Sequence, residues 1–236
     1  MISALVPPGI SIAEISGDLK DASLLPEEAS ALGDVSEGRR HEYTLSRTCA
    51  RRALSALGFP ASPILSGSKR EPVWPAGIVG SITHCKDYCA AAVARKEDFA
   101  TVGIDAEIHA ELPEGVINTV ALPEEMEQIR ALRTPATGIH WDRILFSAKE
   151  SIYKAWYPIE KKWLGFKDVL LTLHPETQEF QARFLVPGPI VGGRSIASLN
   201  GRHAIENGIV LTTVTLAAFP ALVVPAASGR HSQTGR

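Results

Sequence analysis

Two acids one residue apart, Asp105 and Glu107, close the stretch TVGIDAE (residues 101–107). Side chains alternate along a strand, so the two carboxylates share a face while Ile104 and Ala106 take the other. Like charges held side by side repel unless a cation joins them. Mg²⁺ suits such a pair, because it takes one or two carboxylates and completes its shell with water and phosphate oxygens. A solvated strand end satisfies the same spacing. The stretch FSAKESIYKAW (residues 146–156) begins 39 residues after Glu107 and supplies a third acid, Glu150, four residues before Lys154. On a helix these two are neighbours, turned away from the stripe Leu145, Ala148, Ile152 and Ala155. A surface ion pair needs nothing more, yet Phe146, Tyr153 and Tyr157 surround that face with aromatic rings. A third carboxylate for the cation, beside an ammonium able to hold a phosphate, is the sharper reading.

Basic residues that could meet an anion lie elsewhere in the chain. On helical geometry Arg40, Arg47 and Arg51 fall within an arc of roughly 40°, opposite Leu45, Cys49 and Ala53. Guanidinium forks on one face match phosphate oxygens in pairs, and a solvated basic face is the plain alternative. Lys69 and Arg70 extend the same patch. The stretch GSITH (residues 80–84) delivers Ser81, Thr83 and His84 to a turn, where His84 would cap the turn, donate to a phosphate or ligate a metal. Cys49, Cys85 and Cys89 lack the paired spacing of a zinc site. Neither a P-loop nor a G-x-G-x-x-G fingerprint is present, and no G-x-S-x-G elbow.

These residues need elements to hold them. Apolar alternation predicts strands over 10–15, 79–83, 89–94 and 100–106, and again over 169–173, 180–185 and 209–217. Leu45, Cys49, Ala53 and Leu57 recur at four-residue steps, which predicts a helix over 36–57 ended by Gly58 and Pro60. Shorter helices are expected at 25–32 and 122–132, each opened by a proline. The clearest helical stripe predicts a helix over 139–157, stopped by Pro158, and 113–118 reads as loop. Each half runs helices first and strands after, without a residue-by-residue repeat, which suggests a duplicated α+β order. The polar end, 221–236, reads as a disordered tail.

Composition excludes several classes. With 236 residues, 45% hydrophobic and 21% charged, the chain can bury a substantial core. A formal net charge of −2 gives no global attraction to nucleic acid or anionic membrane, so any polyanion must be met by a local basic cluster. No apolar run reaches membrane-spanning length and the N-terminus lacks a signal pattern. Three unpaired cysteines fit a reducing, cytoplasmic setting.

GSITH, VGIDAE (102–107) and FSAKESIYKAW, in this order and spacing, resemble the 4'-phosphopantetheinyl transferases of the surfactin and enterobactin type. RRHEY (39–43), RTCAR (47–51), EPVWP (71–75), HWDRIL (140–145) and KWLGF (162–166) are similar to the actinobacterial branch, which serves polyketide, peptide and mycolate-like pathways. The likeness spans residues 25–217. It implies a pseudo-dimeric α+β fold of two similar halves, 1–104 and 105–220, with the active site between them. The implied reaction moves the 4'-phosphopantetheine arm of coenzyme A onto a serine of an apo acyl or peptidyl carrier protein. Adenosine 3',5'-bisphosphate leaves, and Mg²⁺, or Mn²⁺ in its place, is required.

The resemblance also implies roles. Asp105, Glu107 and Glu150 would hold the metal. Glu150, Lys154 and Asp105 form the catalytic set, with Glu150 as base for the serine and Lys154 neutralising the pyrophosphate. Lys149 would support a phosphate. His84 would hold the 3'-phosphate, with Ser81 and Thr83 near it, and Arg39 and Arg47 would contact the nucleotide phosphates. Tyr153, Trp163 and Leu164 would line the channel for the arm. Ser66 stands where relatives often carry lysine, and Lys69 is its expected substitute. A monomer is expected, with coenzyme A and carrier proteins as its partners rather than nucleic acid or membrane. A metal-dependent phosphodiesterase and a non-catalytic carrier-binding module are the rival readings.

Overall fold

The computed structural model describes residues 1–133 and 138–219; the expected tail lies outside the described residues. In chain order the elements are β1 (Ser11–Ser16), α1 (Pro26–Leu32), α2 (Glu37–Ala56), β2 (Ile78–Cys85), β3 (Tyr88–Arg95) and β4 (Phe99–Ile108). There follow α3 (Val116–Val120), α4 (Pro123–Leu132), α5 (Trp141–Glu160), β5 (Val169–His174) and β6 (Glu179–Phe184). The short β7 (Ile190–Val191) and β8 (Arg194–Ser195), then β9 (Ser198–Glu206) and β10 (Ile209–Ala217), complete the fold. It is mixed α+β, as expected. A three-stranded antiparallel sheet, order β1-β3-β2, carries α2, and a five-stranded antiparallel sheet, order β4-β10-β9-β6-β5, carries α5. In each sheet the first strand pairs with the last.

Local chemistry explains most boundaries. Ser36 caps α2, its Oγ accepting from the Arg39 amide at 3.4 Å. Leu45, Cys49 and Ala53, the predicted stripe, are buried against β3 and its neighbours. Pro26 and Pro123 sit in the first turns of α1 and α4, where a missing N–H costs nothing. The expected stop at Pro158 does not occur. α5 runs on to Glu160 and ends where Lys161 turns left-handed at φ 53°. Pro158 removes one hydrogen bond near the helix end, while the buried Trp156 and Tyr157 keep that last turn packed.

Four elements escaped the pattern reading: α3, the two-residue β7 and β8, and β9. Part of the 113–118 segment begins α3. β9 was missed because Asn200, Gly201 and Arg202 interrupt its apolar run, although Leu199, Gly201 and His203 all face inward. The expected division between 104 and 105 falls inside β4, which pairs along its length with β10.

β4 joins the halves. Its even residues Val102, Ile104 and Ala106 pack into the core shared with β3 and the N-terminal turn. On its free edge, the amides of Ile104 and Ala106 donate to Ser81 Oγ (3.1 Å) and Thr83 Oγ1 (3.0 Å) on β2. Two hydroxyls thus stand in for a strand ladder where the edges of the two sheets meet.

Candidate active site between the two halves

The odd residues of β4 face α5 rung by rung. Thr101 Oγ1 donates to the Ala155 carbonyl at 2.7 Å. Gly103 lies so close to the helix that a Cβ there would meet the Ser151 carbonyl oxygen at 2.0 Å. Asp105 meets Ser147 and Lys154, and Glu107 meets Arg143. Strand steps of two residues advance roughly 6.6 Å and helix steps of four roughly 6 Å, so the two registers stay matched over several rungs. On α5 the polar partners Arg143, Ser147, Glu150 and Lys154 follow i, i+4, i+7, i+11, which is one face of a helix.

Asp105 is almost fully buried and heavily bonded. Lys154 Nζ donates to its Oδ1 at 2.7 Å, Ser147 Oγ to its Oδ2 at 2.7 Å, and Thr83 Oγ1 to Oδ1 at 3.3 Å. Thr212 on β10 steadies Ser147 from behind. Glu107 pairs with Arg143 at 3.0 Å. Burial first, and then the Asp105 charge, hold Glu107 above the usual carboxylate range, against the pull of Arg143. Glu150 is raised by the same two causes in the same order, with Lys154 opposing. Glu107 and Glu150 therefore both sense the Asp105 charge.

Beside them a cavity of about 440 Å³ opens between the halves. α2 and the 66–74 segment line one wall, including Arg39, Arg47 and Lys69; β2 supplies Ser81 and His84; α5 supplies Glu150, Tyr153 and Lys154. An adjoining cavity of about 310 Å³ shares Lys69, Glu150 and Tyr153, and adds Trp163 and Leu164. Trp163 is 75% exposed and its ring lies 5.2 Å from that of Tyr153. His84 stands at the rim, held below the ordinary imidazole value by loss of hydration, with Glu42 opposing and Lys154 and Arg39 reinforcing.

Most residues singled out in the sequence thus gather at this cleft, although Asp105 and Glu107 lie beside it and not on its lining, with four further qualifications. Lys149 does not offer its ammonium to a ligand. It is 3% exposed and its Nζ donates to Glu125 (2.7 Å) and to the carbonyls of Phe166 (2.7 Å), Val120 (3.0 Å) and Val169 (3.1 Å). Burial lowers its basicity, with Glu125 opposing. Thr83 and Ser81 spend their hydroxyls on β4. Arg47 is buried over the Tyr43 ring and donates to the Ile64 carbonyl (2.7 Å) and to Ser66 Oγ (2.8 Å), so its fork does not face solvent. Of the other arginines in the expected arc, Arg51 pairs with the buried Glu28 and Arg40 donates to the Gly33 carbonyl.

Sequence reasoning passed over Arg143 and Ser147 as site residues, and Tyr43, Glu71 and Trp74 as cavity walls. The polar heptad-like spacing on α5 was the signal for the first two. Among the described residues no three His, Cys, Asp or Glu side chains are already gathered around a metal position. The donor chemistry nevertheless fits a hard divalent ion: three carboxylates whose mutual repulsion a cation would relieve.

The chain belongs to the 4'-phosphopantetheinyl transferase superfamily, a family of group-transfer enzymes with which the mixed α+β fold is consistent. The 4'-phosphopantetheinyl transferase N-terminal domain matches residues 27–94, and the 4'-phosphopantetheinyl transferase superfamily domain matches residues 101–192. The chain is 43% identical over 238 residues to 4'-phosphopantetheinyl transferase Svp of Streptomyces mobaraensis, covering 100% of this chain and 94% of that protein. It is 43% identical over 220 residues to 4'-phosphopantetheinyl transferase PptT of Mycobacterium tuberculosis, covering 92% and 96%. Enterobactin synthase component D of Escherichia coli K12 is 33% identical over 141 residues, covering 58% and 63%.

Proposed function

We propose that this transferase moves the 4'-phosphopantetheine arm of coenzyme A to a serine hydroxyl of apo acyl or peptidyl carrier proteins. Adenosine 3',5'-bisphosphate is the second product. The observation that carries this reading is the cleft itself, where a basic rim from one half faces an acid and lysine cluster from the other. Coenzyme A carries about four negative charges, and a chain of net charge −2 can meet them only where its cations are concentrated. Arg39 and Lys69 supply exposed cations along one wall, with Arg47 buried behind them and His84 on β2 able to donate a hydrogen bond.

Asp105, Glu107 and Glu150 would hold Mg²⁺, with Mn²⁺ as its substitute, through carboxylate oxygens. When bound, the ion would neutralise charge on the phosphate oxygens during transfer. Lys154, on the same helix face as Glu150, balances Asp105 and presents a proton and a positive charge to the pyrophosphate. Glu150, with its affinity for protons raised by burial and by Asp105, accepts the proton of the incoming serine. Tyr153, Trp163 and Leu164 line an apolar slot beside Glu150 that suits an extended, mostly uncharged arm. The carrier family is that of polyketide, non-ribosomal peptide, fatty-acid or siderophore synthesis, the last in keeping with the likeness to enterobactin synthase component D.

Chromatography of the nucleotide product tests the assignment. With coenzyme A and Mg²⁺, adenosine 3',5'-bisphosphate should appear only when an apo carrier is added. Nucleotide release at the same rate without carrier would favour a phosphodiesterase, and no release over a panel of carriers would leave a binding module.

A further inference from the structure

Of the three acids at or beside the cleft, Asp105 and Glu107 are already neutralised by side chains of α5, and by different means. Lys154 reaches Asp105 through one contact at 2.7 Å on a flexible stem, and its side chain is 28% exposed. Arg143 is tethered at three points: Nη1 to Glu107 at 3.0 Å, Nε to the Ala110 carbonyl at 3.0 Å and Nη2 to the Glu111 carbonyl at 3.1 Å. Its side chain is 14% exposed. Lysine can swing from a carboxylate to a phosphate, whereas a fork held by two backbone carbonyls stays where it is. Glu150 alone of the three has no ion-pair partner among the described residues.

We propose that Arg143 is a positioning residue that keeps the cation site weak until coenzyme A arrives. The guanidinium fixes the Glu107 carboxylate and the loop that follows β4, and sets a positive charge against one of the acids that would hold a divalent cation. A cation approaching the free protein meets a site whose acids are largely balanced and whose neighbour repels it. Phosphate oxygens bring the missing ligands and negative charge, so cation and coenzyme A are captured together. This rests on the reading that Asp105, Glu107 and Glu150 hold the ion.

Binding of Mn²⁺, followed by loss of the free-ion electron paramagnetic resonance signal, tests it without any turnover. The wild-type protein should bind Mn²⁺ at least about tenfold more tightly with coenzyme A than without. Arg143→Gln should tighten binding to the coenzyme A-free protein by about fivefold or more, with a smaller change when coenzyme A is present. Arg143→Lys keeps the charge and should leave the coenzyme A-free affinity near wild type. A folded Arg143→Gln protein with unchanged or weaker Mn²⁺ affinity overturns the proposal. Should Arg143→Gln not fold, the wild-type ratio decides: equal Mn²⁺ affinity with and without coenzyme A overturns it. Failure of the wild-type protein to bind Mn²⁺ in either condition overturns the cation reading itself, and this inference with it.

Discussion

Lys149 and Lys154 sit five positions apart on α5 and have opposite surroundings. Lys154 borders the cleft and bonds Asp105, whereas Lys149 lies in the core with Glu125 and three carbonyl groups. Removing one partner of a buried ion pair leaves an uncompensated charge, at a cost of about 3–5 kcal/mol. Lys149→Met should therefore lower stability by roughly that amount in urea unfolding, while the folded protein keeps its KM for coenzyme A. A raised KM with unchanged stability would return Lys149 to the substrate. At this scale the sequence was a good guide to which residues lie near one another and a poor one to which side chains face the cleft. Acids in two motifs could be paired by face, because strand and helix periods are fixed. Nothing in KES distinguishes the lysine that points inward, because its partners Glu125, Phe166 and Val169 come from other elements.

β4 and α5 form the element pair on which the site depends. Their rungs, Thr101 to Ala155, Gly103 to Ser151, Asp105 to Ser147 and Lys154, and Glu107 to Arg143, set the helix at one height along the strand. Gly103 is needed for that approach, since any Cβ would strike backbone atoms that cannot move aside. Gly103→Ala should lose about 1–3 kcal/mol in thermal unfolding and reduce kcat as well, because the displaced helix carries Glu150 and Lys154. Wild-type melting and turnover would mean that this contact does not set the site. The helix and strand were legible because their apolar periods run unbroken over many residues. β9 was not, since a glycine and two polar residues interrupt it, and the end of α5 was misplaced because packing of Trp156 and Tyr157 outweighed Pro158.

At the scale of the molecule, two sheets of three and five strands meet edge to edge through Ser81 and Thr83, and the cleft opens beside that junction. Its walls come from both halves, so neither half alone contains the basic rim together with Glu150 and Lys154. No helix among the described residues is long and apolar enough to cross a membrane. The overall charge of −2 conceals this local polarity, which only the arrangement of the halves brings out. The proposed reaction carries the arm of coenzyme A from this cleft to a carrier serine. Intact-mass spectrometry of an apo carrier incubated with the protein, coenzyme A and Mg²⁺ tests it most directly. The carrier should gain the mass of one phosphopantetheine group, and the gain should be absent when the acceptor serine is replaced by alanine. An unchanged carrier mass across acyl and peptidyl carriers, or a gain that survives loss of that serine, would contradict it.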